Sequence, residues 1–149
     1  MNPAQMHRLQ TIRRCFADLP LPNRDFCQGV FHARFIGPAW LRLTARPSIA
    51  ISGMPGWKGK RFLSPDRAIN VLECRDGHHE RLIMRCEETA SLVDGRPALA
   101  FVYGNNAPMP WRWIRDEFRV LDSRTLLAMT IIDLPMLRGL SFPFLLERA

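Results

Sequence analysis

A carboxylate stands on the apolar side of one strand-like run. From Ile114 to Val120, alternation places Ile114, Asp116, Phe118 and Val120 on one face and Arg115, Glu117 and Arg119 on the other. Trp57 to Phe62, read the same way, sets Lys58 and Lys60 beside Phe62 and opposite Trp57 and Arg61. With both apolar faces turned inward, Lys60 and Asp116 bring opposite charges into one interior, where they can pair. A buried pair loses more on desolvation than it regains unless its remaining hydrogen bonds are made. It is therefore better understood as a polar anchor beside a ligand than as a source of stability. General acid and base work by Asp116 with Lys60, or by Glu117 with a histidine, is the alternative chemistry. A structural or solvated pair is the third reading.

Other reactive side chains form no motif. His32 lies on a strand-like run, His7 on the first helical segment, and His78-His79 in a turn, where adjacent residues point to opposite sides. One histidine beside an apolar cavity would suit a haem, but no second or third metal ligand can be placed, so no metal site is expected. Cys15, Cys27, Cys74 and Cys86 show no Cys-x-x-Cys spacing and read as reduced, mostly buried, small hydrophobes. There is no Gly-x-Ser-x-Gly elbow, phosphate-binding loop or dinucleotide fingerprint.

The chain of 149 residues is 47% hydrophobic, enough for one domain, 1–149, with a substantial core. Its 21 basic residues outnumber 14 acidic ones for a net charge of +7, nearly all of it from arginine. The arginines are scattered and form no basic stripe with interleaved aromatics, so nucleic acid is not an expected partner. No uncharged stretch is long enough to span a bilayer, and no secretory leader is recognised at the N-terminus. The expected location is cytoplasmic.

The elements that must position Lys60 and Asp116 are mostly strands. Residues 1–19 read as an amphipathic helix, capped by Asn2 with Pro3 at its first position, with Leu9, Ile12, Phe16 and Leu19 on one face and Arg8, Arg13 and Arg14 elsewhere. That helix either packs on the barrel or rests transiently on an acidic membrane. From residue 28 to 148 the period falls toward two. A first strand is expected at Val30 to Ile36, with Phe31, Ala33 and Phe35 on one face and His32 and Arg34 on the other. A short helix then spans Pro38 to Ala45 and stops before Pro47. Strands are expected at Ser48 to Ser52, Trp57 to Leu63, Ala68 to Arg75, Glu80 to Thr89, Ala98 to Tyr103, Trp111 to Leu121, Arg124 to Asp133 and Ser141 to Arg148. Asp76-Gly77 and Asp94-Gly95 supply turns. Three strands in succession at the C-terminal end suggest a sheet closing on its own beginning.

Three stretches, Gly56-Trp57-Lys58-Gly59-Lys60-Arg61-Phe62, Arg115 to Asp122 with Thr125-Leu126-Leu127, and Pro143 to Arg148, resemble the Gly-x-Trp-x-Gly-type family of small lipocalin-like proteins. The namesake pattern would fall at Gly29 to Ala33, where Phe31 replaces the tryptophan and Ala33 the second glycine. The resemblance implies a mainly β, single antiparallel, lipocalin-like (calycin-type) barrel, and it implies no particular reaction.

The expected function is therefore non-enzymatic binding of a small hydrophobic ligand, a fatty acid or lipid-like molecule with or without an anionic group. The site residues would be Lys60, Asp116, Trp57, Phe62, Phe118, Trp113, Phe31 and His32, with no cofactor identifiable. A monomer or a homodimer fits equally well. The aromatic residues fit either a lined cavity or a solid core.

Overall fold

The computed structural model describes residues 6–149, so the expected cap Asn2 and first helical residue Pro3 lie outside the described residues. Eight antiparallel strands form a closed barrel. In chain order the elements are α1 (Leu9–Asp18), β1 (Gly29–Phe35), α2 (Ala39–Ile51), β2 (Trp57–Ser64), β3 (Arg67–Cys74), β4 (Gly77–Ala90), β5 (Pro97–Val102), β6 (Ile114–Val120), β7 (Thr125–Ile132) and β8 (Ser141–Arg148). Each strand pairs with the next, and β8 returns to β1 through Phe31–Arg148 to Phe35–Phe144. Closure leaves no free sheet edge among the described strands, which removes strand addition as a route to dimers.

Three expected elements are corrected. The helix expected over 1–19 begins at Leu9 among the described residues, because Arg8 is extended and stands as its N-cap. Ser48 to Ser52 is helix, because α2 runs straight through Pro47. A proline inside a helix withholds one N–H, here from the Leu43 carbonyl. Leu43 and Pro47 are both exposed, so that carbonyl faces water. Trp111 to Trp113 is a 3₁₀ turn rather than the start of β6. The turn sends the Trp111 indole inward, where its Nε1 donates to the Ser52 carbonyl at 2.7 Å.

The chain needs Gly59 for the pairing of β1 with β2. A Cβ there would overlap the Phe31 carbonyl oxygen and sit 3.0 Å from the His32 Cα, both of them backbone atoms that cannot swing aside. Gly59→Ala should therefore cost about 3 kcal/mol, seen as a lower denaturant midpoint. An unchanged midpoint would mean that these strands lie further apart.

The barrel is covered unevenly. Ile12 and Phe16 of α1 pack with Ile36 on Leu127, Met129 and Leu145, so β7 is buried on both faces. The outer face of β6 is charged, as alternation predicts, yet it is not solvated: Glu117 and Arg119 are buried. Glu117 accepts from the Leu92 N–H at 2.7 Å and from the Ser91 hydroxyl, and it meets Arg115 at 2.8 Å. Arg119 grips Asp94 at 2.5 and 2.9 Å and donates to the Phe16 carbonyl at 2.8 Å and to the Pro97 carbonyl at 3.0 Å. Its guanidinium lies 4.3 Å from the Phe16 ring centre. These contacts tie α1 and the β4–β5 loop to the barrel wall.

Candidate functional site

The interior is layered along the barrel axis. The lower half is solid. Phe31, Phe62, Phe101 and Phe118 follow one another with ring centres 5.8, 5.4 and 4.3 Å apart, in geometries from edge-on to stacked. Phe26 joins the floor 5.9 Å from Phe31, and Arg148 lies 4.7 Å from the Phe31 ring centre. The upper half is hollow, with a cavity of about 410 Å³ that opens beneath α2.

A polar belt separates the halves at mid-height. It follows from strand register: Lys60 sits opposite Asn70, Phe101 opposite Asp116, and Asp116 opposite Thr130. Lys60 Nζ meets Asp116 Oδ2 at 2.9 Å, with side-chain exposures of 1% and 6%. The ammonium also donates to Asn70 Oδ1 at 3.2 Å and lies 3.4 Å from the Tyr103 hydroxyl. Thr130 donates to Asp116 Oδ1 at 2.6 Å, Trp57 Nε1 to Asn70 Oδ1 at 3.0 Å, and Asn70 Nδ2 to the Tyr103 oxygen at 3.0 Å. Phe101 offers its ring face 5.1 Å from the ammonium. The pair expected from alternation is thus formed, and the hydrogen bonds that a buried pair requires are made.

The electrostatics follow from this enclosure. Burial works against the Lys60 ammonium, but the adjacent Asp116 charge outweighs it and holds Lys60 above its ordinary value of 10.5. Burial likewise pushes the Tyr103 phenol above 10. Lys60 is therefore a fixed cation whose charge Asp116 cancels locally.

Of the expected site residues, Lys60, Asp116 and Trp57 line the cavity. Phe31, Phe62 and Phe118 form the packed floor beneath it. Trp57 is a correction, since it shares the inner face with Lys60 while Lys58 turns outward to Glu73 at 2.6 Å. The cause is a bulge between Trp57 and Gly59, which shifts the alternation by one residue. Trp113 sits on the 3₁₀ turn outside the cavity lining, beside Arg112. His32 lies on the outer face of β1, outside the lining.

Asn70, Tyr103, Thr130 and Trp111 also belong to the site. The first three share an inward parity with Leu72, Phe101 and Ala128, so the signal that marked Asp116 was available for them as well. The α2 wall carried no such signal once Pro47 was read as a stop. Its Thr44, Ser48 and Ser52 hydroxyls bond carbonyls of their own helix at 2.8, 2.7 and 2.8 Å, so this wall offers the cavity little polarity.

One other group has metal-ligating types together. Cys74 Sγ, a carboxylate oxygen of Asp76 and a ring nitrogen of His79 lie within 4.8 Å of one another at the β3–β4 hairpin. Asp76 and His79 already bond each other at 2.9 Å, and the Cys74 thiol faces the Pro55 carbonyl at 3.8 Å.

Fold and cavity together define a closed, eight-stranded antiparallel barrel of lipocalin-like architecture with two helices. A crystal structure described as that of a protein from Thermomonospora curvata shares this fold. Its TM-score is 0.68 at 21% identity, covering 98% of this chain and 92% of that one. No protein-family model and no curated protein matches the chain.

Proposed function

We propose that the protein binds one small, largely apolar molecule in the upper barrel, its polar end resting on the mid-height belt. The observation that carries this reading is the cavity of about 410 Å³, walled by apolar side chains and floored by one satisfied ion pair. Its size lies within the range of small-molecule sites, about 300–1,000 Å³, and the mixture of apolar wall and few polar groups is typical of them. The stretches that resemble the Gly-x-Trp-x-Gly-type family contribute Trp57, Lys60 and Asp116 to the site, which supports carrying that resemblance forward.

The ion pair refines the ligand class. Because Asp116 cancels the Lys60 charge, an anionic head would have to displace a carboxylate that already holds two hydrogen bonds. An uncharged hydrogen-bonding head, such as a hydroxyl or ester, avoids that cost. An anchoring role also suits Lys60 better than a basic one, since the ammonium is held protonated.

Thermal unfolding against dispersed fatty alcohols, monoacylglycerols and fatty acids tests this. At a hundredfold excess over Kd, a ligand of the native state adds about 2.7 kcal/mol, or roughly 5–10 °C in Tm for a chain of this size. The neutral-headed ligands should give the larger shift, and Ala45→Phe, which fills the cavity from α2, should abolish it. A flat response, or an Ala45→Phe variant that responds like wild type, would remove the reading. A response to fatty acids alone would overturn the neutral-head assignment.

A further inference from the structure

The large apolar side chains that remain exposed are not spread evenly. Among the described residues, Trp40, Leu43, Ile51, Met109, Met136 and Leu140 are all exposed, with Leu43 at 76%, Ile51 at 88% and Met136 at 95%. Strand directions place all six at one end. Connections 36–56, 103–113 and 133–140 join β1 to β2, β5 to β6 and β7 to β8 at the same rim, and that rim is the cavity mouth. Elsewhere among the described residues only Leu63 and Ile83, on strands, are comparably exposed large hydrophobics. An apolar concentration of this kind on an otherwise mixed surface marks a contact site.

The same three connections are basic. They carry Arg42, Arg46, Arg112 and Arg138 against a single acid, Asp133, which Arg138 already binds at 2.5 Å, and the short β3–β4 turn at the same rim adds Arg75 and Asp76, the latter already bonded to His79 at 2.9 Å. The apolar face of α1, the other basic amphipathic helix, is occupied: Ile12 and Phe16 are fully buried against the barrel. A basic and apolar ring around a pore-like opening matches an anionic bilayer, with arginines at the head groups and the apolar tips below them. We propose that the protein docks mouth-first on anionic membranes through this rim. Docking stands apart from what the cavity holds. Its consequence, direct exchange of an apolar ligand with the bilayer, rests on the cavity reading.

Sedimentation with vesicles of phosphatidylcholine, with and without phosphatidylglycerol, tests the proposal on the full chain. The protein should bind the anionic vesicles, and less so as salt rises. Leu43→Ser and Met136→Ser should each weaken binding on the order of tenfold, and Arg42→Glu with Arg46→Glu at least as much. Leu63→Ser, Ile83→Ser and Arg8→Glu with Arg14→Glu should leave it unchanged. All of these positions are exposed, and matching Tm values confirm that the variants fold.

Absent vesicle binding, binding indifferent to the rim variants, or loss through Arg8 and Arg14 alone would each overturn it. So would a dimer that the rim variants dissolve without any vesicle binding, since the rim would then meet a second copy. Because the ligand panel uses no vesicles, a protein that takes up ligand yet ignores membranes loses this proposal and keeps the cavity reading.

Discussion

Lys60→Met should destabilise the protein by about 3–5 kcal/mol, because it leaves the Asp116 carboxylate buried without its cation. Asp116→Leu should cost a similar amount by stranding the ammonium. Either loss lowers Tm by roughly 10 °C or more for a domain of this length. The double variant Lys60→Met/Asp116→Leu should recover most of the stability, since two apolar side chains replace two desolvated charges. If the double variant is as unstable as the sum of the singles, the pair is not the interaction that matters.

The pair also sets an alkaline limit. Lys60 has a folded-state value above its ordinary 10.5, so its contribution is complete below about pH 10.5 and disappears as pH climbs through the folded-state value. Tyr103 acts in the same direction, because its phenol is raised above 10 and the unfolded chain loses that proton first. Stability should thus be level through neutrality and fall in strong alkali. Tyr103 is the chain's only tyrosine. Its tyrosinate absorbance therefore reports this one site, and a titration midpoint near 10 in the native protein would contradict the enclosed belt.

Arg119→Met should cost about 3 kcal/mol by a different route. It removes the Arg119 donor from the Pro97 carbonyl and from the Phe16 carbonyl, which keeps only the Leu19 N–H at 3.2 Å, and it frees Asp94 from its bidentate partner. Arg119→Lys should not rescue it, because one ammonium cannot reproduce the planar fork. Native-state hydrogen exchange should show the loss concentrated in α1 and residues 91–96, with the inner belt intact. Burial alone would raise the Asp94 carboxyl, but the Arg119 hydrogen bonds outweigh it and hold the group below 3.8. The stabilisation is therefore present above about pH 3.8 and fades as pH falls through the lower folded-state value. That acid step should vanish in Arg119→Met. Uniform loosening of the whole barrel would show that Arg119 is not a local clasp.

Alternation alone carried the reading a long way. It placed Asp116 and Lys60 inside, where they can pair, and located all eight strands of the barrel while adding a false one at Ser48 to Ser52, because an inward polar residue stands out on an apolar face. It failed at Trp57, where one bulged residue reverses every side chain before it, and the only hint in Trp57-Lys58-Gly59 is the glycine, which fits a close backbone approach as well as a bulge. Pro47 misled for a related reason: a proline costs a helix less where the carbonyl it frees can meet water, and exposure is not visible in a sequence. Alternation puts Glu117 and Arg119 on the outer face but says nothing of their burial, because what covers them, α1 and the β4–β5 loop, arrives from other parts of the chain. The hollow itself is a matter of how residues fail to meet, and that has no counterpart in residue types.

The pairing of β8 with β1 has a consequence for how the barrel is made. Arg34 and Glu147 bond across that seam at 2.8 and 2.6 Å, although they stand 113 positions apart in the chain. During synthesis β1 therefore waits with one edge bare until β8 has left the ribosome, and the remaining strands can only assemble as an open, curling sheet. Contacts so distant in sequence slow folding, and an unpaired strand edge is open to pairing with other chains for as long as it stays bare. The seam that leaves the finished barrel without edges is thus the last to be sewn, and the newly made chain depends most on being kept from its neighbours just before that moment.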